Sequence, residues 1–126
     1  MRIVIVGPGA MGILFGSFFI KSGQDVYFLD KDKERAKIIT EKGLKIEGLS
    51  NFTIESVKVT TRAEEIKKAD LIIIATKSYS TESAVKSVLP ILDKETFVLT
   101  LQNGLGNVEI ISKYVPLNQI IAGVTA

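Results

Sequence analysis

The fold is decided by the stretch Gly7-Pro8-Gly9-Ala10-Met11-Gly12, which follows the apolar run Ile3-Val4-Ile5-Val6. The β-branched run is typical of a buried strand. Apolar residues beyond the loop recur at helical spacing, so a helix is predicted to begin inside the loop. A second apolar strand at residues 26–29 ends on Asp30. Strand, glycine loop, helix, strand and acid follow one another as in dinucleotide-binding βαβ units.

Each glycine of this loop has its own predicted role. Gly7 permits a tight turn out of the strand, and Gly12 lets the helix lie close against it. Gly9 has no Cβ, so a pyrophosphate can approach the backbone there. Unpaired N–H groups at the helix start, and the positive end of its dipole, face the phosphates. We therefore expect this stretch to bind a dinucleotide.

Composition narrows the class of protein. The 126 residues suggest one domain, and an apolar fraction of 46% with a charged fraction of 24% is typical of a soluble globular protein. No apolar run approaches the roughly 18 residues of a membrane span, and no signal peptide is apparent. Cysteine is absent, which excludes thiolate chemistry and fits a cytoplasmic location. Histidine is absent too, so no imidazole base or histidine-based metal site is expected.

Charge gives no indication of a nucleic-acid partner. The formal net charge is +2, and lysines lie scattered among acids, as in residues 31–35 and 64–68. Such runs are usually solvated helix faces. We expect no nucleic acid and no membrane among the partners.

Strands and helices alternate along the rest of the chain. Further strands are predicted at residues 71–75, 97–101 and 120–124, and helices at 32–42, 61–69, 80–89 and 107–114. Residues 44–47 and 52–59 alternate apolar and polar side chains and predict one or two half-exposed strands. The alternation predicts an α/β fold, a Rossmann-type doubly wound and mostly parallel sheet with helices on both faces. Phe15, Phe18, Phe19 and Phe97 are predicted core residues.

Cofactor preference is left open by the residues after the second strand. Asp30 can accept hydrogen bonds from ribose hydroxyls, which favours NAD, or it can cap the following helix. Lys31 can instead hold a 2′-phosphate and so admit NADP. Lys33 and Arg35 are weaker candidates for that role, and both are expected to be solvated.

Two further side chains follow buried strands at the edge where ligands of such sheets bind. Lys77 comes after residues 71–75, and its ammonium can reach the nicotinamide end of a cofactor or an anionic substrate. Asn103 lies between a buried strand and two glycines, where its amide can donate and accept hydrogen bonds. A solvated lysine and an ordinary Asn-Gly turn are the structural alternatives.

Taken together, these residues resemble the amino-terminal domain of the ketopantoate reductase (2-dehydropantoate 2-reductase) family. The pieces that carry the resemblance are residues 1–12, Thr76-Lys77-Ser78-Tyr79, the segment 101–107 with Gln102-Asn103-Gly104, and residues 122–125. The resemblance covers the whole chain. Its first piece is shared with many dehydrogenases, whereas the lysine followed by the Gln-Asn-Gly loop is more particular to this family.

The resemblance implies NADPH-dependent reduction of 2-dehydropantoate to pantoate, a step towards coenzyme A. It implies that Lys77 reaches the nicotinamide half and that Asn103 lies between the cofactor and a small 2-keto acid substrate. It also implies that the glycine loop binds the pyrophosphate through Gly7, Pro8, Gly9, Ala10, Met11 and Gly12. A second, helical domain of the family supplies the catalytic lysine that protonates the alkoxide. Residues 1–126 are thus expected to be a single NAD(P)-binding domain without catalytic residues, and a truncated chain is favoured over a natural short protein.

The chain departs from the family pattern after the second strand, and two alternatives stay open. Family members usually carry an arginine or a similar cation after the second strand, whereas this chain has the mixed pair Asp30-Lys31. One alternative is the front half of another two-domain hydroxyacid or glycerol-phosphate dehydrogenase. The other is a nucleotide-sensing regulatory module, which is a single domain of about this length. Whether the protein forms a homodimer is left open by the sequence.

Overall fold

The computed structural model describes residues 1–7, 9–47, 51–77, 80–101 and 106–123. Eight strands lie within these residues: β1 Arg2–Val6, β2 Asp25–Leu29, β3 Leu44–Ile46, β4 Phe52–Ile54, β5 Lys58–Thr60, β6 Leu71–Ile74, β7 Phe97–Thr100 and β8 Ile120–Ala122. Four α-helices lie between them: α1 Ala10–Lys21, α2 Lys33–Lys42, α3 Thr81–Val88 and α4 Asn107–Ser112. The predicted alternation of strands and helices is confirmed.

Six strands form one parallel sheet in the order β5-β2-β1-β6-β7-β8. The chain starts at β1 in the middle, runs outward to β2, and returns across β1 to β6 on its other side. This reversal of strand order opens a crevice at the carboxyl ends of the strands, where ligands of doubly wound sheets bind. The predicted fold class is confirmed.

The hydrophobic core has two halves, one on each face of the sheet. Alternate residues of a strand point to opposite faces, so Val4 and Val6 pack with α3 and α4 while Ile3 and Ile5 pack towards α1 and α2. Phe28 of β2 is fully buried in the second half. Helices on both faces cover the sheet, which explains the uninterrupted apolar runs of its central strands.

The segment between α2 and β6 differs from its prediction. Residues 52–60 contain two short strands: β4 pairs antiparallel with β3 in a separate hairpin, and β5 joins the main sheet beside β2. The helix expected at residues 61–69 is only a 3-10 turn, Ala63–Glu65. Thr60, the residue before the expected cap, accepts a hydrogen bond from the Arg62 N–H and donates one to Glu65. The alternation of apolar and polar residues correctly predicted strands here, but it could not show which sheet each strand joins.

Two predicted core aromatics lie at the surface. The side chain of Phe18 is 43% exposed and that of Phe97 is 45% exposed, whereas Phe19 packs against the core. Phe15 is intermediate. Helix α1 carries apolar residues around most of its circumference, so helical spacing alone could not show which of them face the sheet.

Candidate nucleotide-binding site

The glycine loop makes the turn that its sequence predicts. Gly7 has φ +80°, a left-handed conformation that favours glycine, and a Cβ there would overlap Cγ2 of Thr76. A Cβ on Gly12 would lie 2.9 Å from the carbonyl oxygen of Gly7 and 3.0 Å from Cγ2 of Ile5. The structural roles expected for Gly7 and Gly12, a tight turn and close packing of helix on strand, are confirmed.

Gly9 differs from these two glycines because nothing in the described part of the chain crowds it. A Cβ at Gly9 would meet only the carbonyl oxygen of Ala75, at an ordinary 3.7 Å. Its backbone is extended, with φ −76°, which any residue adopts. Packing among the described residues therefore does not require glycine at this position, and the space that they leave in front of it can admit a ligand.

Helix α1 begins at this open position. The first hydrogen bond of the helix runs from the Ile13 N–H to the Gly9 carbonyl oxygen, at 2.9 Å. The N–H groups of Ala10, Met11 and Gly12 precede it and have no partner within the helix. Among the residues that the structure describes, no side chain caps this end, and the first turn holds no acid. The positive end of the helix dipole thus faces the crevice and suits an anion.

Asp30 is buried behind Arg35. Only 2% of the residue is exposed, and its carboxylate accepts two hydrogen bonds from Arg35: Nε to Oδ2 at 2.6 Å and an Nη nitrogen to Oδ1 at 2.7 Å. The N–H of Asp32 donates a third, at 3.0 Å. The side chain of Asp32, and not that of Asp30, caps α2 by accepting from the N–H groups of Glu34 and Arg35.

This geometry corrects two expectations from the sequence. Asp30 does not cap the helix, and its carboxylate accepts hydrogen bonds from a guanidinium. Arg35 is not simply solvated, although its side chain is 54% exposed. Lys33 does stay at the surface. The missed signal was the N-cap at Asp32, because a helix starting there turns Arg35 back towards the end of β2.

The Asp30 carboxylate makes the free energy of unfolding depend on pH. Burial alone would raise the pKa of Asp30, but hydrogen bonds from Arg35 and the Asp32 N–H, with the charge of the guanidinium, hold the pKa below its ordinary value. A carboxyl whose pKa is lower in the folded state contributes stability that is complete above the unfolded pKa, about 3.9. That contribution is lost as the pH falls through the folded pKa.

An Asp30→Asn variant is therefore expected to be less stable than the wild type by about 1.5–3 kcal/mol near pH 7, because charge-assisted hydrogen bonds are lost. The difference should shrink as the pH falls below about 3.9. Urea unfolding of both proteins, followed by circular dichroism from neutral to acidic pH, measures it. A difference that stays constant across this range would contradict the assignment.

Two cavities flank the glycine loop. The first, of about 190 Å³, is lined by Val6, Gly7, Leu29, Asp30, Lys31, Arg35, Thr76, Ser80, Ala84 and Ser87. The second, of about 350 Å³, is lined by Gly7, Gly9, Arg35, Ala75, Thr76, Lys77 and Ser80. Arg35 and Gly7 line both, so the two cavities form one path along the carboxyl ends of β1, β2 and β6. An open hollow of about 580 Å³ on the β3–β4 hairpin shares no lining residue with them.

Three cations among the described residues line this path. Lys31 reaches across the first cavity, where its Nζ donates to Oγ of Ser83 on α3. Arg35 lies between the cavities, and the exposed Lys77 lines the far end of the second. The fold therefore brings several of the predicted cofactor-binding residues to one edge of the sheet: Asp30, Lys31, Lys77 and the glycines of the loop. Pro8 and Asn103 lie outside the described residues.

Comparison with known proteins places the chain in a family. The family model described as ketopantoate reductase PanE/ApbA matches residues 3–126. The chain belongs to the ketopantoate reductase family. The resemblance expected from the glycine loop, the lysine and the Gln-Asn-Gly segment is confirmed.

Individual members of the ketopantoate reductase family are similar over most of this chain. The 2-dehydropantoate 2-reductase of Pyrococcus abyssi is 47% identical over 107 residues, covering 85% of this chain and 34% of that protein. The crystal structure of 2-dehydropantoate 2-reductase from Geobacter metallireducens is 36% identical with a TM-score of 0.88, covering 97% of this chain and 40% of the other. The chain thus spans between a third and two fifths of the length of these relatives.

A solved structure with a different activity is equally similar. The ternary structure of D-mandelate dehydrogenase with NADH and anilino(oxo)acetate is 33% identical with a TM-score of 0.89, covering 98% of this chain and 40% of the other. Similarity over this part of the chain therefore does not distinguish a 2-dehydropantoate 2-reductase from a D-mandelate dehydrogenase. In the part of the chain that the structure describes, no helix has the length and apolar character needed to cross a membrane.

Proposed function

We propose that this chain is the nucleotide-binding domain of an NADPH-dependent 2-dehydropantoate 2-reductase. The observation that carries the proposal is the open start of α1 at Gly9, which faces a path lined by cations at the carboxyl edge of the sheet. Membership of the ketopantoate reductase family supports the choice of reaction. The greater length of the relatives supports a second domain beyond residue 126.

The pyrophosphate fits the start of α1. Phosphate oxygens accept hydrogen bonds from the N–H groups of the first turn, and the helix dipole favours their charge. Gly9 allows this approach because a side chain there would occupy the space in front of those N–H groups. We propose that residues 7–12, Pro8 included, hold the pyrophosphate in this way.

The adenosine half fits the first cavity. Val6 and Leu29 form an apolar floor beside Arg35 and Lys31, so an adenine or ribose can rest on the floor while a phosphate meets the cations. The net charge of Asp30, Lys31 and Arg35 together is positive, which favours the 2′-phosphate of NADPH over the hydroxyl of NADH.

The nicotinamide half is proposed to lie towards Lys77, at the other end of the path. When bound, NADPH supplies the hydride that reduces the keto carbon of the substrate. The residues of this chain bind and orient: Lys77 contributes a cation near the substrate, and Asn103 is proposed to hydrogen-bond both molecules. We propose that the general acid comes from the second domain, as the resemblance to the ketopantoate reductase family implies.

Calorimetric titration of the purified chain with NADPH and with NADH, at fixed salt, tests the cofactor assignment. We expect NADPH to bind at least about tenfold more tightly, corresponding to about 1.4 kcal/mol from the additional phosphate contacts. Tighter binding of NADH would overturn the NADPH assignment. Binding of neither nucleotide would overturn the dinucleotide site itself.

A second candidate function is an NADH-dependent 2-hydroxyacid dehydrogenase. The similarity to D-mandelate dehydrogenase, whose structure holds NADH, favours it. Substrate choice would lie with the second domain, so the discriminating assay compares 2-dehydropantoate with benzoylformate, the keto acid of mandelate, on a chain that includes that domain. Faster turnover of 2-dehydropantoate supports the first proposal, and faster turnover of benzoylformate supports the second.

A further inference from the structure

We propose that Arg35 is the residue that selects a 2′-phosphorylated dinucleotide, and that Asp30 is a positioning residue that holds Arg35 in place. The proposal rests on the dinucleotide-binding function proposed above and assigns its specificity. The sequence placed the choice of cofactor mainly between Asp30 and Lys31 and offered Arg35 only as a weaker candidate, expected to be solvated. The structure instead pairs the acid with a cation further along the chain, at the start of α2.

Asp30 is in no position to receive a ribose. Both of its carboxylate oxygens accept from Arg35, Oδ1 also accepts from the Asp32 N–H, and only 2% of the residue is exposed. Hydroxyls of a ribose could reach these oxygens only after Arg35 had been displaced. Displacing Arg35 would break its two charge-assisted hydrogen bonds to Asp30 and leave that carboxylate buried without them. The acid therefore lies behind the site, and the arginine forms its surface.

Arg35 combines an exposed position with the hydrogen-bond donors that bind a phosphate. Its side chain is 54% exposed and lines both cavities. Within the described ranges, the second Nη nitrogen of the guanidinium makes no hydrogen bond. The two bonds to Asp30 fix the plane of the guanidinium, so less side-chain entropy is lost when a phosphate binds. A phosphate monoester carries about −1.5 to −2 charges near pH 7 and matches the donor fork of arginine.

Lys31 is a different kind of cation. Its ammonium is a point charge on a flexible stem, and it contacts Ser83 on α3 across the first cavity. A lysine in this place adds positive charge but does not fix an orientation. We therefore assign the larger share of the selectivity to Arg35.

The test is calorimetric titration of four proteins with NADP⁺ and with NAD⁺, which differ only by the 2′-phosphate. The variants are Arg35→Gln, Asp30→Asn and the control Lys33→Gln, which removes a charge from the same helix at a residue that lines neither cavity. We expect Arg35→Gln to weaken NADP⁺ binding by about 10- to 100-fold and to change NAD⁺ binding by less than about twofold. The control should change neither.

The Asp30→Asn variant distinguishes a role of Asp30 in positioning Arg35 from simple electrostatic repulsion between Asp30 and the phosphate. If Asp30 positions Arg35, the variant binds NADP⁺ more weakly and its ratio of NADP⁺ to NAD⁺ affinity falls. If Asp30 only repels phosphate, NADP⁺ binds more tightly, which overturns the positioning role. If Asp30 accepts ribose hydroxyls, NAD⁺ affinity falls most, which overturns the proposal. Circular dichroism confirms folding, and Arg35→Lys, which keeps the charge and loses the fork, replaces Arg35→Gln should that variant unfold.

Failure of this inference is distinct from failure of the proposed function. A wild-type chain that binds neither nucleotide overturns the dinucleotide site. A wild-type chain that prefers NADP⁺, with the same preference in Arg35→Gln, overturns the role of Arg35 alone.

Discussion

A Gly9→Ser variant is expected to fold as the wild type does and to bind NADPH about 100-fold more weakly, the loss expected from two charge-assisted hydrogen bonds. Gly9 has extended backbone and open space at its Cβ position. Serine is a favoured N-cap that differs from glycine by only a few tenths of a kcal/mol. Its hydroxyl would accept from the N–H groups at the start of α1, and its bulk would lie where the pyrophosphate approaches.

The matched control is Gly12→Ser in the same loop. A Cβ there would lie 2.9 Å from the Gly7 carbonyl oxygen and 3.0 Å from Cγ2 of Ile5, so we expect a loss of stability of about 1–3 kcal/mol from overpacking. Thermal unfolding and NADPH titration of both variants distinguish a ligand-facing glycine from a packing glycine. Unchanged NADPH binding by Gly9→Ser would place the pyrophosphate elsewhere.

A Phe28→Ala variant is expected to lose about 3–5 kcal/mol of unfolding free energy, because a large buried side chain is replaced by a cavity. Phe28 is fully buried on β2, and its ring fills the space left by Gly16 of α1. The ring thus joins the sheet to the helix that carries the proposed phosphate site. Urea unfolding followed by circular dichroism measures the loss, which is a large share of the 5–15 kcal/mol typical of a domain.

The same substitution at Phe97 provides the control. Its side chain is 45% exposed at the start of β7, so Phe97→Ala should cost about 1 kcal/mol and leave no internal cavity. Equal losses at the two positions would contradict the burial that separates them.

The central βαβ unit could be predicted because its signals are local. Gly7, Gly9 and Gly12 lie close together in the sequence, and the apolar strands before and after them are continuous. The predicted turn at Gly7 and the close packing at Gly12 are confirmed. A strand buried on both faces has a distinctive composition, so the parallel sheet followed from the same reasoning.

The environment of Asp30 could not be predicted because it depends on where a helix begins. Arg35 meets Asp30 only because α2 starts at an N-cap on Asp32 and turns back over the end of β2. Spacing in the sequence identified the acid but not its partner. The role of β5 was missed for a similar reason, since pairing with β2 is set by tertiary packing and not by the alternation of residues 52–59.

The measurement that tests the proposed site most directly is a crystal structure of this chain with NADP⁺. We predict that the pyrophosphate lies against the N–H groups at the start of α1, in front of Gly9. We also predict that the 2′-phosphate contacts Arg35 while Arg35 keeps its hydrogen bonds to Asp30. A ribose bound directly to Asp30 with Arg35 displaced, or a nucleotide bound away from the glycine loop, would contradict this site.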